Sequence, residues 1–218
     1  MLIKKYNTNL YNFSEIVSGV FGVNQLSKLH EERTDLLPKD KLVFENESRT
    51  DFHSEFYSKM NNHELKALEE SFKVFIKNEV KPFFDEDILH QYMPSFRVHL
   101  PGDMAIHKWH YDSDMDHKHP EWEINFIVPL TDCEETQSFW LESVPGLRDF
   151  KPVNLKYGEF VIFDGNRCMH GNKENITNDT RVSFDFRVLP SSRYNDNLKL
   201  SVTTNKKFSE GDYYIRVK

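Results

Sequence analysis

Cysteine is scarce in this sequence, with only Cys133 and Cys168 among its 218 residues. Their spacing matches neither a zinc site nor a redox motif, and two unpaired thiols suit a reducing compartment. No apolar run approaches the ~20 residues that a membrane helix needs. The N-terminus has no apolar core followed by a cleavage site, so we expect no signal peptide. These absences predict a cytoplasmic protein without a membrane partner.

Positive charge is the second shortage. The net charge is −7 and the basic residues form no stripe, which argues against a nucleic-acid partner. The sequence contains no repeat, low-complexity segment or linker, and its length is that of one domain. A chain of this size buries roughly 70% of its unfolded surface, so it needs neither a disulfide nor a structural metal to fold.

Helical spacing dominates residues 1–92. Ser14 is a candidate N-cap for a first helix, and Asn61 followed by Glu64 resembles a capping box for a second, which would end at Pro82. The charged, weakly periodic segment 31–55 predicts a loop that could close over a pocket. The apolar residues that define the two helices are Ile16, Val17, Val20 and Phe21, then Leu65, Leu68, Phe72, Phe75 and Ile76.

From residue 93 to residue 190 the pattern changes to short alternating runs separated by turns, which is typical of an all-β sandwich or barrel. The 18 Phe indicate a core filled with large rings, and residues 191–218 predict an extension with a hairpin. The expected fold is therefore mainly β with N-terminal helices (α+β), in one domain. The predicted strands are Ser95–Leu100, Ala105–His110, Glu123–Leu130, Phe139–Glu142, Glu159–Phe163, Cys168–His170 and Arg181–Leu189.

Three side chains form a candidate metal site. His110 and Asp112 are two residues apart in an extended segment, so they point the same way. His170 follows 58 residues after Asp112, at the end of another predicted strand, and Gly171 permits a tight exit turn. Two imidazoles and one carboxylate on one side of a metal are the arrangement of non-haem Fe(II) oxygenases.

Other residues near this site compete as ligands. His107 is the strongest competitor, because a cupin-type site also draws a histidine from this strand. His117 and His119 lie in a charged loop and are predicted to be solvated. Cys168 offers a soft thiolate, although a small buried residue is the favoured interpretation.

A candidate anion site follows on the last predicted strand. Arg181 lies 11 residues after His170, and Ser183 shares its face. A buried arginine can hold a carboxylate through two parallel hydrogen bonds, and a buried unpaired one is costly. Arg181 therefore needs either an anionic ligand or a protein acid, for which Asp185 is the candidate. Arg187 lies on the same face and is the alternative arginine for the ligand.

These motifs resemble Fe(II)/2-oxoglutarate-dependent oxygenases, and most closely their streptomycin-biosynthesis-type branch. The resemblance implies a double-stranded β-helix (jelly-roll) core, with Fe(II) held by His110, Asp112 and His170. It also implies that Arg181 and Ser183 anchor the cosubstrate 2-oxoglutarate, with O2 as the oxidant. Asp112 argues against a halogenase, which would carry a small residue there. The matching segments are Phe96–Gly102, His110–Asp114, Glu123–Phe126, Gly158–Phe160, Phe163–Gly165, His170–Asn172 and Thr180–Val188.

The expected activity is that of a dioxygenase that hydroxylates a small polar metabolite and releases succinate and CO2. A cupin-like isomerase or sugar-binding module is the alternative, and a peptide hydroxylase is disfavoured because no peptide-docking domain is evident. The acidic loop 113–123 would favour a cationic or polyhydroxylated substrate, unless it is simply a solvated surface loop. Asn125 is a candidate cosubstrate contact or a satisfied core amide. The candidate substrate residues are Arg97, His99, Trp140 and Arg187.

Overall fold

The computed structural model describes residues 1–38, 50–105, 109–195, 199–201 and 204–218. In these ranges the chain is mainly β, with antiparallel sheets and a few helices. No described helix is long and apolar enough to cross a membrane. The helices are α1 Phe13–Phe21, α2 Leu29–Glu32, α3 Asp51–Asn61 and α4 Lys66–Phe75. The strands are β1 Leu2–Lys5, β2 Ile88–Gln91, β3 Ser95–His99, β4 Ile124–Pro129, β5 Phe139–Leu141, β6 Lys151–Pro152, β7 Glu159–Phe163, β8 His170–Asn172, β9 Arg181–Pro190 and β10 Tyr214–Val217.

The helices differ from the sequence prediction at their ends. Asn12, not Ser14, is the N-cap of α1. Asn61 is the last residue of α3 rather than the cap of the next helix, so the predicted capping box is wrong. The capping box that forms joins Thr50 to His53 at the start of α3. Beyond α4 the chain continues as a π-helical turn, Ile76–Val80, and a 3-10 turn that contains Pro82.

The segment 31–55, predicted as a loop, is partly helical. It contains the end of α2, a 3-10 turn at Thr34–Leu36 and the first turn of α3. Residues 39–49 lie outside the described ranges, so the proposal that this segment closes over a pocket stays untested there. The predicted strand Ala105–His110 is likewise described only at its ends.

The larger sheet has seven strands in the order β1-β7-β4-β9-β2-β10, and β3 pairs with β9 as well. The long strand β9 is its centre, because β3 pairs with residues 181–185 and β2 with residues 188–190. The smaller sheet has the order β6-β5-β8. In the tail, an antiparallel bridge joins Leu200 to Lys207, while β10 pairs with β2. The predicted tail hairpin is thus reduced to that bridge in the described residues.

Successive side chains of β9 point alternately into two buried regions on opposite sides of the larger sheet. Val182, Phe184, Phe186 and Val188 enter the core between the helices and the larger sheet. Arg181, Ser183, Asp185 and Arg187 therefore face the other way. On that side Val161 and Phe163 of β7 pack with Phe139 and Leu141 of β5, so the two sheets face each other. The candidate site residues of β9 lie between the sheets.

Candidate metal centre

His110, Asp112 and His170 converge between the sheets. Backbone hydrogen bonds of 3.0 Å run in both directions between His110 and His170, and the Asp112 amide donates to Gly165 O at 3.0 Å. Nε2 of each histidine lies 3.6 Å from Asp112 Oδ1. One ligand atom from each of the three buried side chains lies within 4.8 Å of the others. The structure thus brings together the three ligands that the sequence predicts.

The hydrogen bonding and burial of His170 leave the lone pair of its Nε2 available to a metal ion. Its Nδ1 lies 3.0 Å from Cys168 O, so this nitrogen carries the hydrogen and leaves Nε2 facing Asp112. Burial, with the neighbouring charge of His110, lowers the pKa of His170 to about 4. The imidazole is therefore neutral at pH 7, which is the form that binds a metal.

Asp112 is fully buried, and its two oxygens have different surroundings. Oδ2 accepts hydrogen bonds from Asn125 Nδ2 at 2.6 Å and Arg187 Nε at 2.9 Å. Oδ1 has no hydrogen-bond partner within the described part of the chain. Burial alone would raise the pKa of this carboxyl group, but the Arg187 charge and the adjacent His110 outweigh it and hold the pKa well below its ordinary value. A buried carboxylate with one unsatisfied oxygen beside two imidazoles fits a first-row divalent metal.

The other residues considered as ligands have different roles. His117 stacks its ring on His110 with centroids 4.2 Å apart, and its Nδ1 contacts Asp114. His119 Nδ1 lies 2.7 Å from the buried Glu123 carboxylate. The prediction that His119 is solvated is therefore wrong, because the buried Glu123 carboxylate holds it inward, whereas His117 is partly buried beside the partly exposed Asp114. Cys168 packs in the core between the sheets, and His107 lies outside the described residues.

Arg181 is buried and forms no ion pair with an acid in the described part of the chain. Its Nη1 donates to Gln137 O and to Asn172 Oδ1, both at 3.0 Å, while Nε has no hydrogen-bond partner among the residues described. Asp185, the acid considered from the sequence, instead binds Arg97 and Arg187. Burial lowers the pKa of Arg181 to about 10, so the guanidinium remains protonated at pH 7. We call this group, with Ser183, Asn172 and Gln137, the anion pocket.

Asn172 lies between Arg181 and the candidate metal ligands. It lies two residues after His170 on β8, so both side chains point into the same space, about 7 Å apart along the strand. Asn172 was not identified as a site residue from the sequence. Its position two residues after a predicted ligand, on a strand, was the available signal.

Of the remaining predicted site residues, His99 and Arg97 are buried or partly buried near the candidate site, whereas Trp140 lies away from it. His99 is fully buried between the carbonyl oxygens of Gln137 and Asp103, and burial, together with Arg181, lowers its pKa to about 3. Arg97 lies between the sheets and pairs with Asp185 at 2.7 Å. Trp140 lies on the opposite face of β5 from Phe139 and Leu141, with Lys173 Nζ 3.4 Å from its ring centroid. The structure does not bring Trp140 together with the metal ligands.

The comparisons with known proteins give one similar sequence and several similar folds. No family model matches the chain. The chain is 29% identical over 214 residues to the streptomycin biosynthesis protein StrG of Streptomyces griseus. This alignment covers 98% of the chain and 96% of StrG. A nickel complex of the non-heme monooxygenase ThoJ is 13% identical with a TM-score of 0.48, over 97% of this chain and 80% of ThoJ. CytC3 with Fe(II) and alpha-ketoglutarate is 19% identical with a TM-score of 0.47, over 87% of this chain and 71% of CytC3. At these identities and TM-scores, none of the likenesses establishes a family for the chain.

Proposed function

We propose that this protein is an Fe(II)- and 2-oxoglutarate-dependent dioxygenase that hydroxylates a small polar metabolite and releases succinate and CO2. The observation that carries the proposal is a cluster of three candidate metal ligands in the same interior as a buried arginine that contacts no acid among the described residues. The two facing antiparallel sheets would form the jelly-roll core of such an enzyme.

The residues divide the work between metal and cosubstrate. His110, Asp112 and His170 would hold Fe(II), and three protein ligands leave coordination positions for other molecules. Iron and 2-oxoglutarate together activate dioxygen when both are bound. Arg181 would pair with the distal carboxylate of 2-oxoglutarate, and Ser183 offers a hydroxyl donor on the same face. Asn172 and the Gln137 carbonyl keep the guanidinium pointed into the anion pocket.

Arg181 also argues against the cupin-like alternative. A sugar-binding or isomerase site needs the metal but not a guanidinium buried beside it. No described acid contacts Arg181, so a bound anion would balance its charge directly, and a planar fork suits a carboxylate. A relative in streptomycin biosynthesis, matched over nearly the full length of both chains, supports a small-molecule substrate.

The test is a titration of the Fe(II)-loaded protein with 2-oxoglutarate in the absence of oxygen. The metal-to-ligand charge-transfer absorbance of the complex reports binding and gives the dissociation constant. 2-Oxobutanoate is the matched control ligand, because it can chelate iron but has no distal carboxylate for Arg181. We expect 2-oxoglutarate to bind more tightly, and succinate to form once oxygen and ascorbate are added. Equal affinities would remove the proposed role of the anion pocket. The absence of both charge transfer and succinate would favour the cupin-like alternative.

A further inference from the structure

We propose that Asn125 and Arg187 are positioning residues that together hold one oxygen of Asp112, so that only the other oxygen is presented to a metal. The inference rests on the metal-binding half of the proposed function and is independent of the cosubstrate. It gives Asn125 and Arg187 a function different from the cosubstrate or substrate contacts expected from the sequence.

The two donors are fixed by strand pairing. Asn125 on β4 and Arg187 on β9 are directly opposite in the antiparallel register, so their side chains leave the same face of the larger sheet. Both donate to Asp112 Oδ2, at 2.6 and 2.9 Å. The residue that binds metal comes from a loop, whereas its two supports come from the centre of a sheet.

Arg187 is itself held in place by an ion pair with Asp185, which in turn binds Arg97. Its Nη1 donates to Asp185 Oδ2 at 2.6 Å, and Asp185 Oδ1 accepts from Arg97 Nε at 2.7 Å. The four side chains alternate in charge from Arg97 to Asp112, and Asp185, Arg187 and Asp112 are all at most 14% exposed. If Arg187 turned away from Asp112, that buried carboxylate would lose its arginine, which is costly, and the contact with Asp185 holds Arg187 in place.

The arrangement favours one-oxygen coordination. A carboxylate that chelates a metal uses both oxygens, but Oδ2 of Asp112 already accepts two hydrogen bonds. Oδ1 points toward Nε2 of both histidines. Holding Oδ2 therefore fixes the direction of Oδ1 and keeps a coordination position free for other ligands.

A substitution at Gly165 offers a second way to break the hydrogen bond between Asn125 and Asp112. A Cβ at this residue would lie 2.7 Å from Cγ of Asn125, and the backbone of Gly165 is not in the left-handed region. Gly165→Ala is thus expected to push the amide away from Asp112 without straining its own backbone. In Gly165→Ala/Asn125→Ala the obstructing side chain is gone, so the clash disappears while the hydrogen bond stays lost.

The experiment measures Co(II) affinity by competition with a chelator, the visible Co(II) spectrum, and metal-free stability. We expect Asn125→Ala and Arg187→Gln each to raise the Co(II) dissociation constant by about 10- to 100-fold and to alter the spectrum. Arg187→Lys should recover part of the loss. Asn175→Ala removes another fully buried amide, and Arg33→Gln removes another arginine that binds two carboxylates. These two controls should keep the wild-type affinity and spectrum.

The glycine pair separates positioning from stability. Gly165→Ala should weaken Co(II) binding and lower stability, while Gly165→Ala/Asn125→Ala should regain stability but not affinity. If Arg187→Gln does not fold, this pair still tests the contact. Variants that bind Co(II) with wild-type affinity and spectrum would overturn the inference alone. A wild-type protein that binds no Co(II) would overturn the proposed function as well.

Discussion

The Arg181 side chain is the residue whose loss should separate cosubstrate binding from metal binding. Arg181→Ala removes a charged hydrogen bond worth roughly 1.5–3 kcal/mol, so the 2-oxoglutarate dissociation constant should rise about tenfold to hundredfold. Arg181→Lys keeps the charge but loses the planar fork, and its effect should be smaller. Metal affinity should change little, because Arg181 bonds to Gln137 and Asn172 rather than to a metal ligand.

The measurement for Arg181 is a charge-transfer titration of the Fe(II) protein with 2-oxoglutarate. Arg187→Ala is the informative comparison. If it weakens 2-oxoglutarate binding directly while Arg181→Ala does not, the wrong arginine has been assigned to the cosubstrate. If neither change matters, the anion pocket has no role in cosubstrate binding and the oxygenase proposal loses its main support.

Asp112 is the residue whose loss should abolish activity. Asp112→Ala removes the only carboxylate of the proposed triad and leaves Arg187 with a single acid, Asp185. We expect succinate formation to disappear even when excess Fe(II) and 2-oxoglutarate are supplied. Circular dichroism of the metal-free variant checks that it is folded. Wild-type turnover by a metal-reconstituted Asp112→Ala protein would contradict the assignment.

The strand β10 attaches the C-terminal segment to the loop that follows two of the candidate metal ligands, His110 and Asp112. Tyr214 donates a hydrogen bond to Glu123, the buried acid that also holds His119. Tyr213, its neighbour, donates to the neutral Gln91 side chain at 2.9 Å. A hydrogen bond to a charged group is worth more than one between neutral groups. The two tyrosines therefore form a matched pair for measuring the strength of this attachment.

We expect Tyr214→Phe to lower the free energy of unfolding by about 1.5–3 kcal/mol and Tyr213→Phe by about 0.5–1.5 kcal/mol. Urea unfolding of both variants beside the wild type gives the difference. Each change removes one hydroxyl from a buried ring, so the two lose similar apolar contacts. A Tyr213→Phe loss equal to or larger than that of Tyr214→Phe would mean that Glu123 does not need this donor.

Strands were easier to predict than helices for a physical reason. The alternation along β9 is explicit in the sequence, and both faces of the strand are as predicted. The start of α3 was missed because the charged residues around it hid Phe52, Phe56 and Met60, which recur at helical spacing and are all buried. The Asn61 and Glu64 pattern was misleading because a helix was already present before it.

The candidate site was predictable only where its residues are close in sequence or share a motif. The spacing of His110 and Asp112, or of Arg181 and Ser183, determines which side chains share a face. The contact between Asp112 and Arg187 spans 75 residues and depends on strand register, which composition does not specify. Asn125 was therefore expected near the cosubstrate, whereas the structure places its amide on the Asp112 carboxylate.

At the scale of the molecule, most of the described Phe rings lie on one side of the larger sheet and the buried charges around Asp112 lie on the other. The many Phe were expected to fill a sheet sandwich, but most of them pack between the helices and this sheet. Phe56, for example, stacks on Phe96 with centroids 4.3 Å apart. The helices thus take up the apolar face, and the other face is available for the buried charges around Asp112.

Burial of two histidines should make the whole protein sensitive to acid. Burial lowers the pKa of His90 from its ordinary 6.5 to about 4, and burial with the Arg181 charge lowers that of His99 to about 3. Both are neutral in the folded state at pH 5–7, whereas the unfolded chain takes up protons as the pH falls through 6.5. Unfolding therefore binds protons in this window, and stability must fall as the pH decreases.

Each such histidine adds up to ~1.4 kcal/mol per pH unit to the slope of unfolding free energy against pH. Urea unfolding of the metal-free protein at pH 7, 6 and 5 measures that slope, above the range where most carboxylates titrate. In the wild type, Nδ1 of His90 contacts Gln91 O. His90→Asn keeps a donor near that position but cannot titrate, so unfolding of this variant should take up about one proton fewer and the slope should be lower by up to ~1.4 kcal/mol per pH unit. His63→Asn, at an exposed position, is the matched control. A slope in His90→Asn equal to that of the wild type would show that His90 takes up no proton on unfolding, and the acid sensitivity would then have to come from other groups.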